Sequence, residues 1–419
     1  MTVRLGAHDE AAAHTCDAIV VGAGYIGCAA ASALATAGLR VALLDRGPIP
    51  GGASRANYGN VQVQDAELAH SLPMVTAGYR RFATLEEELG CSVGYRKVGS
   101  LLLIETAAQQ QIMVGRLPAL HAAGIAAELA PAERLAELEP LLDHRGVAQD
   151  GILRHLAACY HADEGQVSPF LFMAAYLRTG RRRGLAVHPH TEVTGFDIAA
   201  GRLVGVRAGA ERFSAGVTIL TTGAWTPRLG RLLGRDWAIP NVHGQALVTE
   251  RSDLRLNNHL SSAAFFEAMH AGEGDASAGE SKPAPAVLAV SQTADGHFLL
   301  GEAGVITDDL GAHATGQGQA AVAREVMRVL PALARLRVLR GWAAPVAFTA
   351  DGLPFLGPVA DLPGLILATA FKSTVVVTPL VGDAVVQLVC TGRTDLDLTP
   401  FSPDREITHV PGTCEVPGT

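Results

Sequence analysis

Gly22, Gly24 and Gly27 stand in the spacing G-x-G-x-x-G, with Ala23, Tyr25 and Ile26 between them. Each glycine answers a separate need. Gly22 permits a tight turn, Gly24 lets the backbone approach a pyrophosphate, and Gly27 lets a following helix pack closely on the strand before it. A helix starting here offers free N–H groups and its positive dipole end to the phosphates. Asp45 lies 18 residues beyond Gly27, where a carboxylate can accept hydrogen bonds from a ribose. Together these residues describe dinucleotide binding. The alternative is a glycine-rich turn in an unrelated α/β sheet.

The residues after Asp45 bear on which dinucleotide. The stretch 46–62, RGPIPGGASRANYGNVQ, is a glycine-, serine- and asparagine-rich loop instead of an immediate return to a helix. It can lay hydroxyl, amide and backbone groups along a long extended cofactor, which favours FAD over NAD. An ordinary surface loop is the competing account. Lys372 is conspicuous for another reason. Lys97, Lys282 and Lys372 are the only lysines, and Lys372 alone lies in the apolar C-terminal segment. Burying an unpaired ammonium is costly. The lysine therefore snorkels out, pairs with a carboxylate, or holds its charge where chemistry uses it.

These residues need a frame. Residues 17–22, DAIVVG, predict a strand, CAAASALATAGL predicts a helix, and 39–44, LRVALL, predict a second strand that Asp45 ends. Further short strands are expected over 186–193, 202–207, 217–222, 246–250, 297–300 and 364–369, and helices over 66–89, 168–184 and 317–330. Residues 271–286, AGEGDASAGESKPAPA, read as a flexible polar insertion. Residues 1–13 and 404–419 read as loosely held tails.

Composition narrows the function classes. The 419 residues suggest two to three domains. Hydrophobic residues at 48% and charged residues at 18% exclude wholesale disorder. The net charge of −8 disfavours nucleic acid or an anionic membrane as partner. The six cysteines form no C-x-x-C pair, which argues against a cluster or structural zinc held by this chain. They are too sparse for a disulfide scaffold, so a cytoplasmic, reducing location is expected. The start has no apolar core of a secretory signal. The nearest candidate for a membrane span, 364–390, contains Lys372, Asp383 and Pro379. It reads better as a buried strand, loop and helix. His155, His161, His188 and His190 lack metal-ligand spacing. His243 reads as a polar loop histidine, and Cys16 and Cys28 as small packing residues.

The chain resembles the FAD-dependent D-amino-acid-oxidase superfamily, which includes glycine and sarcosine oxidases. Within it, the chain is most similar to the flavoprotein β subunits of bacterial opine and D-hydroxyproline dehydrogenases. The fingerprint at 22–27 is one match, and Ser54-Arg55 with Asn57, Gly59 and Asn60 matches the flavin-approach loop. ELGCSVGYRKVGSLLL (88–103), DEGQVSPFLFMAAYLRTGRRRG (163–184), VTILTTGAWTPRL (217–229), HGQALVTE (243–250) and TADGLPFLGP (349–358) are the further landmarks. The likeness runs from about residue 15 to residue 395.

The resemblance implies an α/β fold: a Rossmann-like FAD-binding domain interleaved with a substrate domain on a mostly antiparallel sheet. The FAD-binding segments would be 14–92, 146–228 and 340–400, and the substrate segments 93–145 and 229–339. Besides the glycines, Tyr25, Ile26 and Asp45, it implies that Arg46, Val193, Thr222, Gly223, Trp225, Phe371, Lys372, Ser373 and Thr374 lie against the cofactor. Two departures stand out. Many relatives carry a carboxylate-clamping arginine where this chain has Val346, and valine makes no bidentate contact. Many carry a G-H-G-like stretch where this chain has Ala370-Phe371-Lys372-Ser373-Thr374. Lys372 is the candidate replacement cation and the candidate catalytic residue.

The implied reaction is oxidation of a C–N bond in an amino acid or N-substituted amino acid, such as an opine or D-hydroxyproline, with hydride passing to flavin N5. Electrons would then leave to partner subunits carrying further redox centres, since this chain has no cluster-binding cysteines. An oxygen-using oxidase is the first alternative. A non-catalytic FAD-stabilised assembly or electron-transfer subunit is the second.

Overall fold

The computed structural model describes residues 13–143, 157–266, 286–307, 309–311 and 313–407. The expected insertion 271–286 lies, but for Ala286, outside the described residues, as do 1–12, His155, Lys282 and 408–419.

The strands Ala18–Val21 and Val41–Leu44 are buried at every position. Unbroken apolar runs of this kind suit a parallel sheet covered on both faces. They form the middle of a six-stranded sheet in the order Ala186–His188, Val41–Leu44, Ala18–Val21, Val217–Leu220, Leu365–Thr369, Phe355–Pro358. All neighbours are parallel except the last pair. One face is covered by the helices Tyr25–Thr36, Pro169–Arg182 and Thr374–Thr391. The alanines of the first helix allow this crowding: a Cβ on Gly382 would already stand 3.3 Å from Ala29. Thr374–Thr391 is long and apolar enough to cross a membrane, and in this fold it is mostly buried. The other face carries a four-stranded layer built from Ala13–Thr15, Glu211–Ser214, Arg202–Ala208 and Gly195–Ala199. Leu203, Val206 and Phe213 join Ile19, Leu44 and Leu220 in the core between them.

The second large sheet has eight strands, ordered Val338–Ala347, Asn241–Arg251, His297–Ile306, Ala289–Gln292, His259–Ser262, Ser100–Ile104, Ala157–His161, Glu128–Pro131. It is antiparallel apart from the His259–Ser262 and Ser100–Ile104 pair. Side chains alternate between its faces. Leu101, Leu247, Leu260, Val290, Phe298 and Leu300 pack with Val322 and Val326 of helix Gly316–Val329. Val248, Leu299, Trp342, Ala344 and Val346 line a cleft instead. A small sheet of Asn60–Val61, Gly165–Gln166 and Arg96–Lys97 lies in the order just given.

Several sequence expectations change in detail. The strand expected over 186–193 ends at His188. Pro189 has no N–H to give, His190 takes a positive φ of 55°, and the chain turns back to bond Gly47 and Asp45. The helix expected over 66–89 becomes Ser71–Arg81 and Leu85–Leu89. Glu67 accepts the N–H groups of Ala69, His70 and Ser71, so a turn precedes the first of them. His243 lies on the buried part of strand Asn241–Arg251, not in a loop, and its Nε2 bonds the Asp309 carbonyl. Residues 404–407 are not loose. Arg405 makes a two-pronged bond to Asp351 at 2.8 and 3.0 Å.

Candidate active site

The glycine turn is built as its residue types require. Gly22 has φ +99°, and a Cβ there would meet the Thr221 carbonyl oxygen at 2.7 Å. A Cβ on Gly27 would collide with the Gly22 carbonyl oxygen. Thr221 Oγ1 donates to the Val21 and Gly22 carbonyls, which ties the turn to the neighbouring strand. Asp45 accepts the Ala23 N–H at 2.7 Å and the Gly47 N–H at 2.9 Å. Ser54 Oγ accepts the Tyr25 N–H at 3.1 Å, on the first turn of the helix.

From this turn a cleft of about 1280 Å³ runs to the open face of the eight-stranded sheet. That is more than one drug-sized ligand fills. Its wall includes Gly22, Gly24, Tyr25, Ile26, Asp45, Arg46, Ser54, Arg55, Asn57, Val193, Thr222, Gly223, Trp225, Phe371 and Thr374. The Arg46 guanidinium lies 4.6 Å from the centre of the Trp225 ring, and the buried Trp225 Nε1 has no protein partner. An orphaned donor and a glycine cradle in one cleft fit a bound dinucleotide.

Five expected site residues lie outside that wall. Gly27 supports it from beneath. Gly59 has φ +79° and sits against the Val167 carbonyl, while Asn57 Oδ1 accepts its N–H at 2.6 Å. Asn60 is held by His259 at 3.1 Å, and Ser291 Oγ donates to it at 3.0 Å. Burial pushes His259 down to about 4, so its ring is neutral at pH 7. Lys372 and Ser373 line a separate, much smaller pocket with Glu67, Ser71, Met74 and Gly352. The Lys372 ammonium lies 4.4 Å from the centre of the Phe265 ring. Burial lowers its pKa, with Asp65 and Glu67 opposing. Ala370 takes a positive φ of 61°, and past this turn Phe371 borders both spaces while Lys372 borders only the smaller one.

Other groups at the site carried no clear signal in the sequence. Trp342 Nε1 donates to the Ala56 carbonyl at 3.1 Å and so pins the loop to the eight-stranded sheet. Arg96 lines the cleft but is committed to Gln166 and to the Gln292 carbonyl at 2.9 Å. Buried Glu164 accepts the N–H groups of Val63 and Gln64 at 2.7 and 2.8 Å. Burial alone would raise its pKa, but those bonds, with His161 and Ser100, hold it below the usual range. Tyr58 lines the cleft, and its hydroxyl occupies the space a side chain at Gly301 would need. Next to Gly301 stands Glu302. A side chain on Gly244 would meet Val346 Cγ2 at 3.6 Å and Glu302 Oε2 at 3.8 Å. Glu302 is exposed, yet the protein packed around it pushes its carboxyl up, and burial pushes the Tyr58 hydroxyl up with Glu302 adding to it. Glu302 could have been found by the mark that Lys372 bears, one charge inside an apolar run, HFLLGEAGVI.

Comparison with known proteins agrees with this geometry. The family model for FAD dependent oxidoreductases, DAO, matches residues 17–388. The hydrogen cyanide synthase subunit HcnC of Pseudomonas aeruginosa is 27% identical over 92% of this chain and 95% of its own. Glycine oxidase of Geobacillus kaustophilus is 26% identical over 95% and 99%, and an opine oxidase subunit of Agrobacterium tumefaciens is 25% identical over 93% and 97%. The fold matches the crystal structure of the Geobacillus glycine oxidase with a TM-score of 0.82, at 22% identity over 94% of this chain and 100% of that one. It matches L-proline dehydrogenase from P. horikoshii with a TM-score of 0.79, at 22% identity over 93% and 97%. With the fingerprint turn, the long cleft and a family match over nearly its whole length, the chain belongs to the DAO family of FAD dependent oxidoreductases.

Proposed function

We propose that this chain is the flavin-carrying subunit of a multi-subunit dehydrogenase that oxidises a C–N bond of an amino acid or N-substituted amino acid. The observation that carries the reading is the continuous cleft. It joins a dinucleotide cradle at Gly22–Gly27 to the cavity face of the eight-stranded sheet at Val346. FAD held there supplies a two-electron acceptor. The chain's own residues bind and orient. Ser54 and the helix N-terminus meet the pyrophosphate, Asp45 meets the ribose, and Thr222, Gly223 and Trp225 close over the cofactor. The substrate enters between the cofactor and Val346, where oriented contact replaces collision. Lys372 acts from the neighbouring pocket, through its charge behind Phe371, and does not touch substrate.

Two similarities support the subunit assignment: the opine oxidase relative and hydrogen cyanide synthase HcnC are both named as subunits. Electron-accepting partner subunits in the cytoplasm belong to this proposal. Likeness to glycine oxidase favours a second reading, an oxidase that passes electrons to oxygen. The test is an anaerobic screen of D-amino acids, N-methyl amino acids, prolines and opines for bleaching of the flavin. Bleaching by none of them returns the chain to a non-catalytic role. Slow oxygen uptake by the substrate-reduced chain, with fast turnover once native partners are added, favours the dehydrogenase. Full oxygen turnover by the chain alone favours the oxidase.

A further inference from the structure

The register of the eight-stranded sheet sets out its cleft face in rows. Arg340, Val248 and Leu299 are paired across three strands and form one row, and Trp342, Ala246 and Gly301 form the next. Residues two apart on a strand share a face. Arg340, Val248, Leu299 and Trp342 all line the cleft. Gly301 has no side chain, and the Tyr58 hydroxyl stands where one would be. Tyr58 comes from the loop after Asp45, and Gln166 Nε2 holds that loop by donating to the Tyr58 carbonyl at 3.1 Å. From strand spacing, the Cα atoms of Arg340 and Gly301 lie about 12 Å apart, two strands across and one row along. An extended arginine side chain spans more than half of that. The guanidinium and the hydroxyl can therefore converge over the apolar floor of Val248 and Leu299.

Neither group is already engaged. Among the described residues the Tyr58 hydroxyl and the Arg340 guanidinium have no hydrogen-bond or ion-pair partner. Arg340 is exposed within the cleft wall, so a ligand can reach it from solvent. Other arginines of the wall are used. Arg96 bonds Gln166 and the Gln292 carbonyl, Arg228 pairs with Glu192 at 3.3 Å, and Arg46 lies over the Trp225 ring. Arg55 is also unpaired, but it stands on the short helix Gly52–Ala56 and not in these rows. Burial and the nearby Glu302 both push the Tyr58 hydroxyl up, so it keeps a proton to donate. A guanidinium has donors and no acceptor, and a protonated phenol adds one donor more, a set that suits a carboxylate.

We propose that Arg340 and the Tyr58 hydroxyl form a receptor for a carboxylate that the substrate carries away from its reacting C–N bond. The proposal rests on the reading that places that bond beside Val346. Val346 lies two rows beyond Trp342, about 13 Å of extended strand. The arm between bond and carboxylate crosses Trp342 and Ala344. The receptor fixes its far end and takes no part in electron transfer.

The test is equilibrium binding to the flavin-loaded chain. Titration calorimetry compares cyclohexanecarboxylate with cyclohexanecarboxamide, a neutral ligand of similar shape, and neither has an amine to oxidise. The carboxylate is expected to bind about tenfold tighter, as one charge-assisted contact gives. Added salt is expected to shrink the preference. Arg340→Met is expected to bring it within twofold of none, while flavin content and amide affinity hold. Arg340→Lys keeps the charge without the fork and is expected to restore part of it. Tyr58→Phe removes one hydrogen bond and is expected to lower the preference a few-fold. Equal or weaker binding of the carboxylate, no measurable binding of it, or a preference that survives Arg340→Met overturns the proposal. So does a preference lost in Arg55→Met and kept in Arg340→Met. A preference untouched by Tyr58→Phe overturns the pairing with the hydroxyl. A flavin that no amine bleaches, with the carboxylate preference intact, sinks the proposed function and leaves the receptor standing. Bleaching by amines without that preference does the reverse.

Discussion

The Asp45 carboxylate accepts the Ala23 N–H at 2.7 Å, so the end of one parallel strand is bonded into the glycine turn that follows its neighbour. The same side chain also accepts the Gly47 N–H at 2.9 Å, and in the proposed function it meets the ribose. Asp45→Ala removes both contacts. A hydrogen bond to a charged group contributes about 1.5–3 kcal/mol. FAD affinity is expected to fall roughly ten- to a hundredfold, measured by titrating flavin-stripped protein with FAD.

Gly27→Ala puts a methyl group onto the Gly22 carbonyl, which is backbone and cannot rotate away. Overpacking of this kind costs about 1–3 kcal/mol. The variant is expected to melt at lower temperature and to purify with little flavin. Gly115→Ala is the control, because Gly115 lies inside the helix Ala107–Ala122 with an ordinary backbone conformation and nothing stands within 4 Å of its Cβ position.

No cysteine lines the described cleft, and buried Cys28 donates to the Ala23 carbonyl with its thiol pushed up by burial. Acid precipitation is expected to release all flavin into the supernatant. A yellow pellet would point to a covalent link.

The Asp351–Arg405 pair is nearly buried, at 8% and 10% side-chain exposure. Burial pushes Asp351 up, but the Arg405 guanidinium and the Leu353 N–H hold its pKa below the ordinary value. A depressed carboxylate stabilises the fold fully above its unfolded pKa of about 3.9. That stabilisation disappears as the pH falls through the lower folded value. Asp351→Asn is expected to cost about 3 kcal/mol at neutral pH and to flatten stability below pH ~4. Urea midpoints across a pH series check both.

Lys372→Met keeps the length and removes the charge. If the ammonium acts as a field behind Phe371, anaerobic flavin reduction slows several-fold and the flavin potential falls, while apparent substrate affinity stays within about twofold. A loss of affinity with an unchanged potential would instead mean that the lysine reaches the substrate.

The glycine turn was legible because its causes are local. Turn, close approach and helix packing each need glycine within six residues, and Asp45 follows at the end of the next strand. The wall at Val346 was legible only as a missing arginine. Gly244, Glu302 and Val346 come from three distant stretches that the register of the eight-stranded sheet brings together, and Tyr58 reaches them from a loop outside that sheet. Lys372 shows the limit from the other side. Its oddity in an apolar run was visible, but Phe371 and Lys372 are adjacent, and no sequence pattern says which of two bordering spaces each will face. The break in helix 66–89 was hidden because Glu67 caps through its side chain where an apolar rhythm continues.

The meeting of Tyr58 and Gly301 also constrains how this site can change over generations. The tyrosine hydroxyl fills the volume that any larger residue at 301 would need. A lineage that gives position 301 a side chain must first shrink position 58, and the opposite order passes through a chain that cannot close its sheet against the flavin loop. The two positions should therefore exchange bulk across descendants as a pair. Change at this meeting point is then open by an ordered route only, with the loop moving first and the strand second.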